Sequence, residues 1–382
     1  MAATGTAPIS VLLESLGSGK MDTHALLAAM LHAHDQVSDL IFSPGRLPQV
    51  EAHGHLITVQ APGCAPMTAD DTRRIASDLI GNNKQAINIL REQGSCDISY
   101  GIAGLARFRV NVFIQRGSCA VVMRVIPTVI PDLTSLGLPP QLREIAGLRD
   151  GIVLVTGPRG SGKSSTLAAL VDLINQQQVC HIITIEDPIE FLHNHKRATV
   201  HQRELHSDAP NMPLALKAAL RQAPNVLLVG ELHEKEVIEM VLEAAETGHL
   251  VLSSLNTMDA VQTLQRITGA FPASEQAATR SRLAKTIRYV ISQRLIPRKD
   301  AAGRVPVAEI LKVRPGILES IDGSDSSRYK LLQVLQNGAS AGMQHFDGEI
   351  EKLVRSEVVD LDTAMMYAND SDELMQTLGR RS

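Results

Sequence analysis

One eight-residue run constrains this chain more than any other: Gly157-Pro158-Arg159-Gly160-Ser161-Gly162-Lys163-Ser164. It fits the pattern GxxxxGK(S/T). It lies between a short apolar run, GIVLVT at 151–156, and a helical pattern that continues through Ser165 with STLAALVDLI. That context, strand then loop then helix, is what a phosphate-binding loop requires. The glycines allow a tight backbone whose N–H groups converge on phosphate oxygens. The helix that follows adds the positive end of its dipole. Lys163 is placed to reach the β- and γ-phosphates, and the Ser164 hydroxyl to hold Mg²⁺. The expected ligands are therefore ATP and Mg²⁺.

Three more apolar runs follow: HIITIE (181–186), NVLLVGE (225–231) and HLVLSSL (249–255), with helical patterns between them. Runs of this kind are buried on both faces, and their alternation with helices predicts a doubly wound α/β core. Ligands in such sheets sit beyond the carboxyl ends of the strands. Glu186, Asp187 and Glu190 follow the second run and Glu231 ends the third, so both acidic groups are expected to face the loop. A carboxylate there can hold Mg²⁺ through water or activate the attacking water. Gly248-His249 precedes the fourth run, and His249 is expected at the ligand edge, where it could sense a phosphate or couple to a neighbouring subunit. His193, His195, His201 and His206, with Lys196 and Arg197, read as a solvated polar loop because their spacing is irregular for a metal site.

The region before residue 130 has a different texture. A tail of about 20 residues is followed by a helical pattern from Thr23, and another helix is expected over about 69–94 with Thr68 or Asp70 as cap. RFRVNVFI (107–114) and AVVMRVI (120–126) alternate in period two around a turn at Gly117-Ser118. The hairpin they predict carries Arg107, Arg109 and Arg124. On pattern alone these arginines read as a solvated sheet face. Pro127, Pro131, Pro139 and Pro140 mark a linker that leads to a helix at about 140–147. Leu283, Ile287, Val290, Ile291 and Leu295 fit a helical period across 281–295. RVPVAEILK (304–312) has strand character, and the last ~60 residues read as small helices.

Composition narrows the function classes. Among 382 residues, 37 Lys+Arg against 41 Asp+Glu leave a net charge of -4, and only 3% are aromatic with no Trp. That argues against a broadly basic nucleic-acid binder with stacking platforms, so no direct nucleic-acid partner is expected, although a P-loop core alone would permit a nucleic-acid motor. The four cysteines, at 64, 96, 119 and 180, have no CxxC spacing and read as reduced and buried. No stretch reaches the ~18–20 apolar residues of a membrane span. The first residues show no secretory signal.

Four segments together carry a family resemblance: GPRGSGKSS, ITIEDPIEFLH, NVLLVGE and AAETGHLVLSSLNT. They resemble the Walker A, Asp-box, Walker B and His-box motifs of the secretion and pilus motor ATPases. This is the GspE-like type II/type IV secretion superfamily, and within it the resemblance is to the PilT/PilU-type retraction ATPases. SDLIFSPG, GLARFRVNVFIQRG and GMQHFD fit the same family, so the resemblance covers about residues 20–365. It implies a PAS-like α+β domain at 21–130, a linker at 131–145, a RecA-like P-loop core at 146–300 and a helical C-terminal region at 301–382, after the tail at 1–20. It also implies a cytoplasmic homo-oligomer, a hexamer, held at the inner membrane by a pilus platform protein. Hydrolysis there drives domain rotation and pilus disassembly, seen as twitching motility, or a related secretion machine. Glu190 and Glu231 would take the Asp-box and Walker B roles with Glu186 in support, His249 would be the first His of the His box, and Arg109 and Arg124 would reach ATP phosphates.

The chain departs from the family pattern at three places. Asn256 stands where a second His is usual, His233 follows Glu231 where an Arg-Asp pair is common, and Asn225 precedes the Walker B strand in place of Asp. Neutral imidazole cannot replace a permanent guanidinium fork. These departures raise an alternative: a nucleotide-binding accessory subunit that hydrolyses ATP poorly, joins a mixed assembly and assists a paralogous ATPase. The missing tetra-cysteine motif sets the chain apart from the extension ATPases, and its length is nearer PilU than PilT.

Overall fold

The computed structural model describes residues 22–59, 65–102, 104–127, 129–301, 303–314 and 327–379. The expected N-terminal tail and Cys64 lie outside them. The chain divides into two compact units, one ending at residue 128 and one starting at Val129.

In the first unit, α1 (Thr23–Leu31) starts at Asp22, whose side chain accepts the His24 N–H. Six antiparallel strands follow, β1 (Val37–Phe42), β2 (Gln49–Ala52), β3 (His55–Thr58), β4 (Ser95–Ile102), β5 (Ala106–Gln115) and β6 (Ser118–Ile126), in the order β3-β2-β1-β6-β5-β4. The hairpin read from 107–126 forms as β5 and β6. Its turn is Arg116-Gly117, both at positive φ (48° and 76°), the conformation a two-residue hairpin needs. The single helix expected over 69–94 is two: α2 (Ala69–Ile80) and α3 (Lys84–Gln93). Gly81 breaks the run at positive φ, and Asn83 caps the restart by accepting the Ala86 N–H. Thr68 caps α2 through a reciprocal bond with Asp71, a capping box. One apolar core, with Leu26, Met30, Phe42, Phe108, Val110 and Met123, fixes which face of the sheet is covered.

The second unit opens on a 3-10 helix, Pro140–Gly147, where an ordinary helix was expected. Its sheet comprises β7 (Gly151–Thr156), β8 (His181–Glu186), β9 (Thr199–Glu204), β10 (Val226–Glu231), β11 (Leu250–Leu255), β12 (Ile287–Pro297) and β13 (Arg304–Lys312). The order is β13-β12-β7-β11-β10-β8-β9, with every neighbouring pair parallel except β12/β13. Period-two alternation divides the strands between two cores. Ile152, Leu154, Ile183 and Val229 pack under α6 (Lys235–Glu246), while Val153, Val155, Ile182 and Leu228 pack under α4 (Lys163–Gln177). Burial on both faces is why these strands read as continuous apolar runs. The other helices flanking the sheet are α5 (Met212–Ala219), α7 (Ala260–Gly269) and α8 (Ala273–Thr286).

The helix expected over 281–295 is a correction. α8 ends at Thr286 and the next eleven residues are β12. Its apolar side chains lie on both faces because each face packs into a core, Ile287 and Val290 in one and Tyr289 and Ile291 in the other, and this imitates a helical period over a short window. Of the residues read as a polar loop, His193, His195, Lys196, Arg197 and His206 lie outside strands, whereas His201 is on β9, an edge strand that keeps one polar side. β13 places the start of the expected C-terminal helical region in the core sheet. Its outer edge is occupied at Ile310, which exchanges both backbone bonds with Gln344, and Pro306 lies four residues before it on that same edge. The remaining chain is α9 (Ser327–Asn337), α10 (Phe346–Arg355), α11 (Leu361–Tyr367) and α12 (Ser371–Gly379). Phe346, Ile350, Ala364 and Leu374 form a small core with Ile296 and Val307 of the sheet.

Candidate active site

β7 delivers the chain to Gly157 at the carboxyl edge of the sheet, and Gly162 at φ 91° launches α4. Arg159, Gly160, Gly162, Lys163 and Ser164 of the loop bound a cleft of about 710 Å³, which Ser165, Glu186, Glu190, Glu231 and Asn256 also line. The sheet polarity brings these groups together: Glu186 ends β8, Glu231 ends β10 and Asn256 follows β11.

Lys163 Nζ donates to the carbonyls of Gly157 (2.8 Å) and Pro158 (3.1 Å) and to Asn256 Oδ1 (2.9 Å). Burial lowers its pKa, against the pull of the Glu231 and Glu190 carboxylates. The Asn256 amide Nδ2 donates to Glu231 Oε1, and the other Glu231 oxygen lies 2.9 Å from His233 Nε2. A chain of contacts thus runs Lys163, Asn256, Glu231, His233. Ser164 Oγ donates to Glu190 Oε1 at 2.9 Å. Glu186 Oε1 accepts from Thr184 Oγ1 (2.6 Å) and Gln202 Nε2 (3.1 Å), and burial raises its pKa. It is the more deeply enclosed group, whereas Glu231 and Glu190, although hydrogen-bonded, reach solvent at the cleft. Asp187 lies 3.6 Å from His206 Nε2.

The loop fits a phosphate chain. Gly157, Gly160 and Gly162 are all at positive φ, and Ser161 Oγ is buried with no hydrogen-bond partner. A buried hydroxyl without a partner, set in a glycine-rich loop at the start of a helix, suits a phosphate oxygen as its acceptor. Ser164 with Glu190 supplies only oxygen donors, which suits a hard cation.

His249 is not at this edge. It opens β11, and its Nδ1 lies 2.9 Å from the Ala244 carbonyl and 3.2 Å from Thr247 Oγ1. The six residues of β11 separate it from Asn256 by roughly 20 Å. The ligand-edge reading of its position is therefore corrected: a residue before a parallel strand lies at the edge opposite the ligand. Asn225 sits at that far edge too, accepting the His181 N–H through its side chain. His181 and His201 contact each other at 2.8 Å, and no cluster of three metal-ligating side chains occurs among the described residues. His193 lines the cleft, with its pKa pushed down to about 4 by burial.

Arg109 and Arg124 are on the first unit, directly opposite each other on β5 and β6. Both are largely exposed, Arg124 bonded to Asp39 at 3.0 Å and Arg109 4.0 Å from Asp97. Like charges placed opposite each other oppose sheet pairing, and here each is offset by a neighbouring carboxylate, Asp39 lying directly across from Arg124 on β1.

Two residues escaped the sequence reading. Gln293 of β12 lies under the loop, accepting from Thr166 Oγ1 at 2.8 Å. Its segment reads as helix, so no pattern could have placed it there. Arg304, the first residue of β13, lines the cleft and reaches the Gly160 carbonyl at 3.5 Å. It becomes legible only once β13 is known to run antiparallel and to begin at the ligand edge.

A parallel sheet with this strand order, a phosphate loop and two solvent-reaching carboxylates at its carboxyl edge define a P-loop ATPase with a RecA-like core. The chain belongs to the Type II/IV secretion system protein family, whose profile matches residues 73–370. It is 38% identical over 344 residues to the type IV pilus retraction ATPase PilT of Pseudomonas aeruginosa, covering 90% of this chain and 97% of that one. Against the type IV pilus ATPase PilU of the same organism the identity is 33%, covering 90% and 89%. The crystal structure of the pilus retraction motor PilT with bound ADP superposes with a TM-score of 0.80 at 37% identity, over 92% of this chain and 98% of that one. Identity is higher to PilT than to PilU. Among the described residues no helix is long and apolar enough to cross a membrane.

Proposed function

We propose that this chain is a motor ATPase that drives retraction of a type IV pilus, and with it twitching motility. The observation that carries the reading is the contact chain from Lys163 through Asn256 to Glu231. It keeps the phosphate-binding cation and the catalytic carboxylate joined although the usual second histidine is absent. An amide there both accepts from the ammonium and donates to the carboxylate, so the substitution by Asn preserves the connection. A hydrolysis-poor accessory role is accordingly not favoured.

In this reading Gly157 to Ser165 cradle the phosphates, Lys163 neutralises charge on the β- and γ-phosphates, and Glu231 orients and deprotonates the attacking water. Glu190 and Ser164 hold Mg²⁺, which supplies charge stabilisation on the phosphate oxygens, and Glu186 supports them. The protein works in the cytoplasm as a homo-oligomeric ring of six, peripheral to the inner membrane through a platform partner. Arg109 and Arg124 reach the nucleotide of a neighbouring subunit, and His249 acts away from the phosphates, toward a subunit contact. Steady-state hydrolysis of Mg-ATP tests the core of this. Lys163→Ala and Glu231→Gln should each remove ~10²–10⁴-fold of the rate. Wild-type protein with no turnover above the Lys163→Ala background would overturn the motor reading.

A further inference from the structure

Three successive residues of β12 hold two distant parts of the second unit. Ser292 Oγ accepts from Thr156 Oγ1, the last side chain before the phosphate loop, at 2.9 Å. Gln293 is 3% exposed and is wedged beneath the loop. Its Oε1 accepts from Thr166, a Cβ at Gly157 would lie 2.2 Å from its carbonyl oxygen, and a Cβ at Gly162 would lie 2.8 Å from its Nε2. The loop backbone therefore rests on Gln293 without slack. Arg294, 8% exposed, leaves the opposite face of the strand. Its guanidinium donates to the Tyr367 carbonyl and to Asn369 Oδ1 (2.6 Å) and lies 4.0 Å over the Phe346 ring. Each of these partners belongs to the C-terminal helices or the turn after α11. Asp347 fixes the same turn by accepting the N–H groups of Asn369 and Asp370.

A second tie runs beside the first. Glu309 faces Ser292 across the β12/β13 ladder and accepts the Ala260 N–H at 2.9 Å, four residues beyond Asn256. Glu309 Oε2 and Arg294 Nε are both buried and both lack a partner. An incompletely satisfied buried charge cluster tolerates few arrangements, so displacement at one end has to be accommodated at the other.

We propose that Gln293 is a positioning residue for the phosphate loop and that Arg294 transmits the loop's position to α10 and α11, coupling phosphate occupancy to the docking of the C-terminal helices. The proposal rests on the nucleotide-binding reading above. Phosphates draw the loop inward, Gln293 has no free space in which to lag, and a buried strand moves as a body. By linkage, helices that grip Arg294 more firmly when nucleotide is bound must in turn tighten nucleotide binding by the same factor.

The test uses the full-length protein, MgADP as probe and two readouts: titration calorimetry, and amide hydrogen exchange of residues 346–370 with and without MgADP. In the wild type MgADP should slow exchange in that stretch. Arg294→Met should abolish the MgADP-dependent change and weaken MgADP binding by the matching factor, roughly fivefold or more. Gln293→Met, which fills the same volume without an acceptor for Thr166, should show the same paired loss. Arg294→Lys keeps the charge and should fall between, which covers the case in which the Met variant does not fold. If Arg294 is merely structural, its variants raise exchange equally with and without MgADP, and the coupling is refuted. Saturable MgADP binding by the wild type with unchanged exchange at 346–370 refutes it equally. Absence of any calorimetric binding overturns the nucleotide reading itself, and this inference with it.

Discussion

Gly157 and Gly160 both sit in the phosphate loop at positive φ, yet adding one methyl group to each should have very different consequences. At Gly160 (φ 74°) the added carbon meets nothing within 4 Å. Gly160→Ala therefore carries only the left-handed backbone penalty, about 1–2 kcal/mol. For a unit of this size that is a fall in melting temperature of roughly 2–8 °C. At Gly157 (φ 142°) the carbon would lie 2.2 Å from the Gln293 carbonyl oxygen and 2.7 Å from Ser161 Oγ. The first is backbone of a buried strand and cannot rotate away. Gly157→Ala adds this collision to a conformation that costs of order 1–3 kcal/mol by itself, so its total should exceed about 3 kcal/mol. It also displaces the Ser161 hydroxyl that suits a phosphate oxygen. Thermal denaturation of both variants, paired with titration of a fluorescent ADP, reads the two effects separately. Gly160→Ala should keep saturable binding, and Gly157→Ala should lose both stability and binding. Equal behaviour of the two variants, or a larger loss at Gly160, would refute the argument that contact with β12 shapes the loop.

Other outcomes follow from the same geometry. Asn256→Leu removes the amide joining Lys163 to Glu231 and should lower kcat by about 10²-fold with a smaller change in KM, measured by steady-state hydrolysis. Glu309 has its pKa pushed up to about 7 by burial, so the folded state binds its proton where the unfolded state has released it, and stability falls as pH rises from about 4.5 to 7. Urea unfolding of wild type and Glu309→Gln across that window should show the wild type losing up to about 3 kcal/mol relative to the variant, and parallel curves would refute the assignment. Asn83→Ala removes the cap that restarts the chain after Gly81 and should cost the first unit ~1 kcal/mol, read from denaturation.

The parts of the fold that could be read beforehand are those where local chemistry and tertiary context agree. The phosphate loop announces itself because its glycines, lysine and serine are needed in that order by the ligand. β7, β10 and β11 read as strands because burial on both faces leaves them mostly apolar, with only small hydroxyls such as Thr156 and Ser253 among the buried polar residues. β12 misleads because its apolar residues feed both cores, and Ile287, Val290, Ile291 and Leu295, taken with Leu283 at the end of α8, happen to fit a turn of 3.6. β9 has the opposite problem, since its edge position lets Thr199, His201 and Arg203 look like loop. At the site, strand polarity put Glu190 and Glu231 on the side of the loop, where both line the cleft, whereas Asn256 was noticed only as a departure from the family pattern. His249 was misplaced, because the reading attached it to the right strand at the wrong end. Gln293 and Arg304 carry no motif and act through position in the sheet, which is a property of the whole chain.

The rim of the core sheet at β13 has a consequence for how copies of this chain can associate. Ile310 has already given both of its outward backbone groups to Gln344, and Pro306 has no N–H to offer on that side. An intruding strand finds no continuous row of donors and acceptors to zip onto. Growth by strand addition is disfavoured at this border, so copies of the chain that met there would do so through side-chain surfaces, which can part and re-engage without unravelling a hydrogen-bonded ladder.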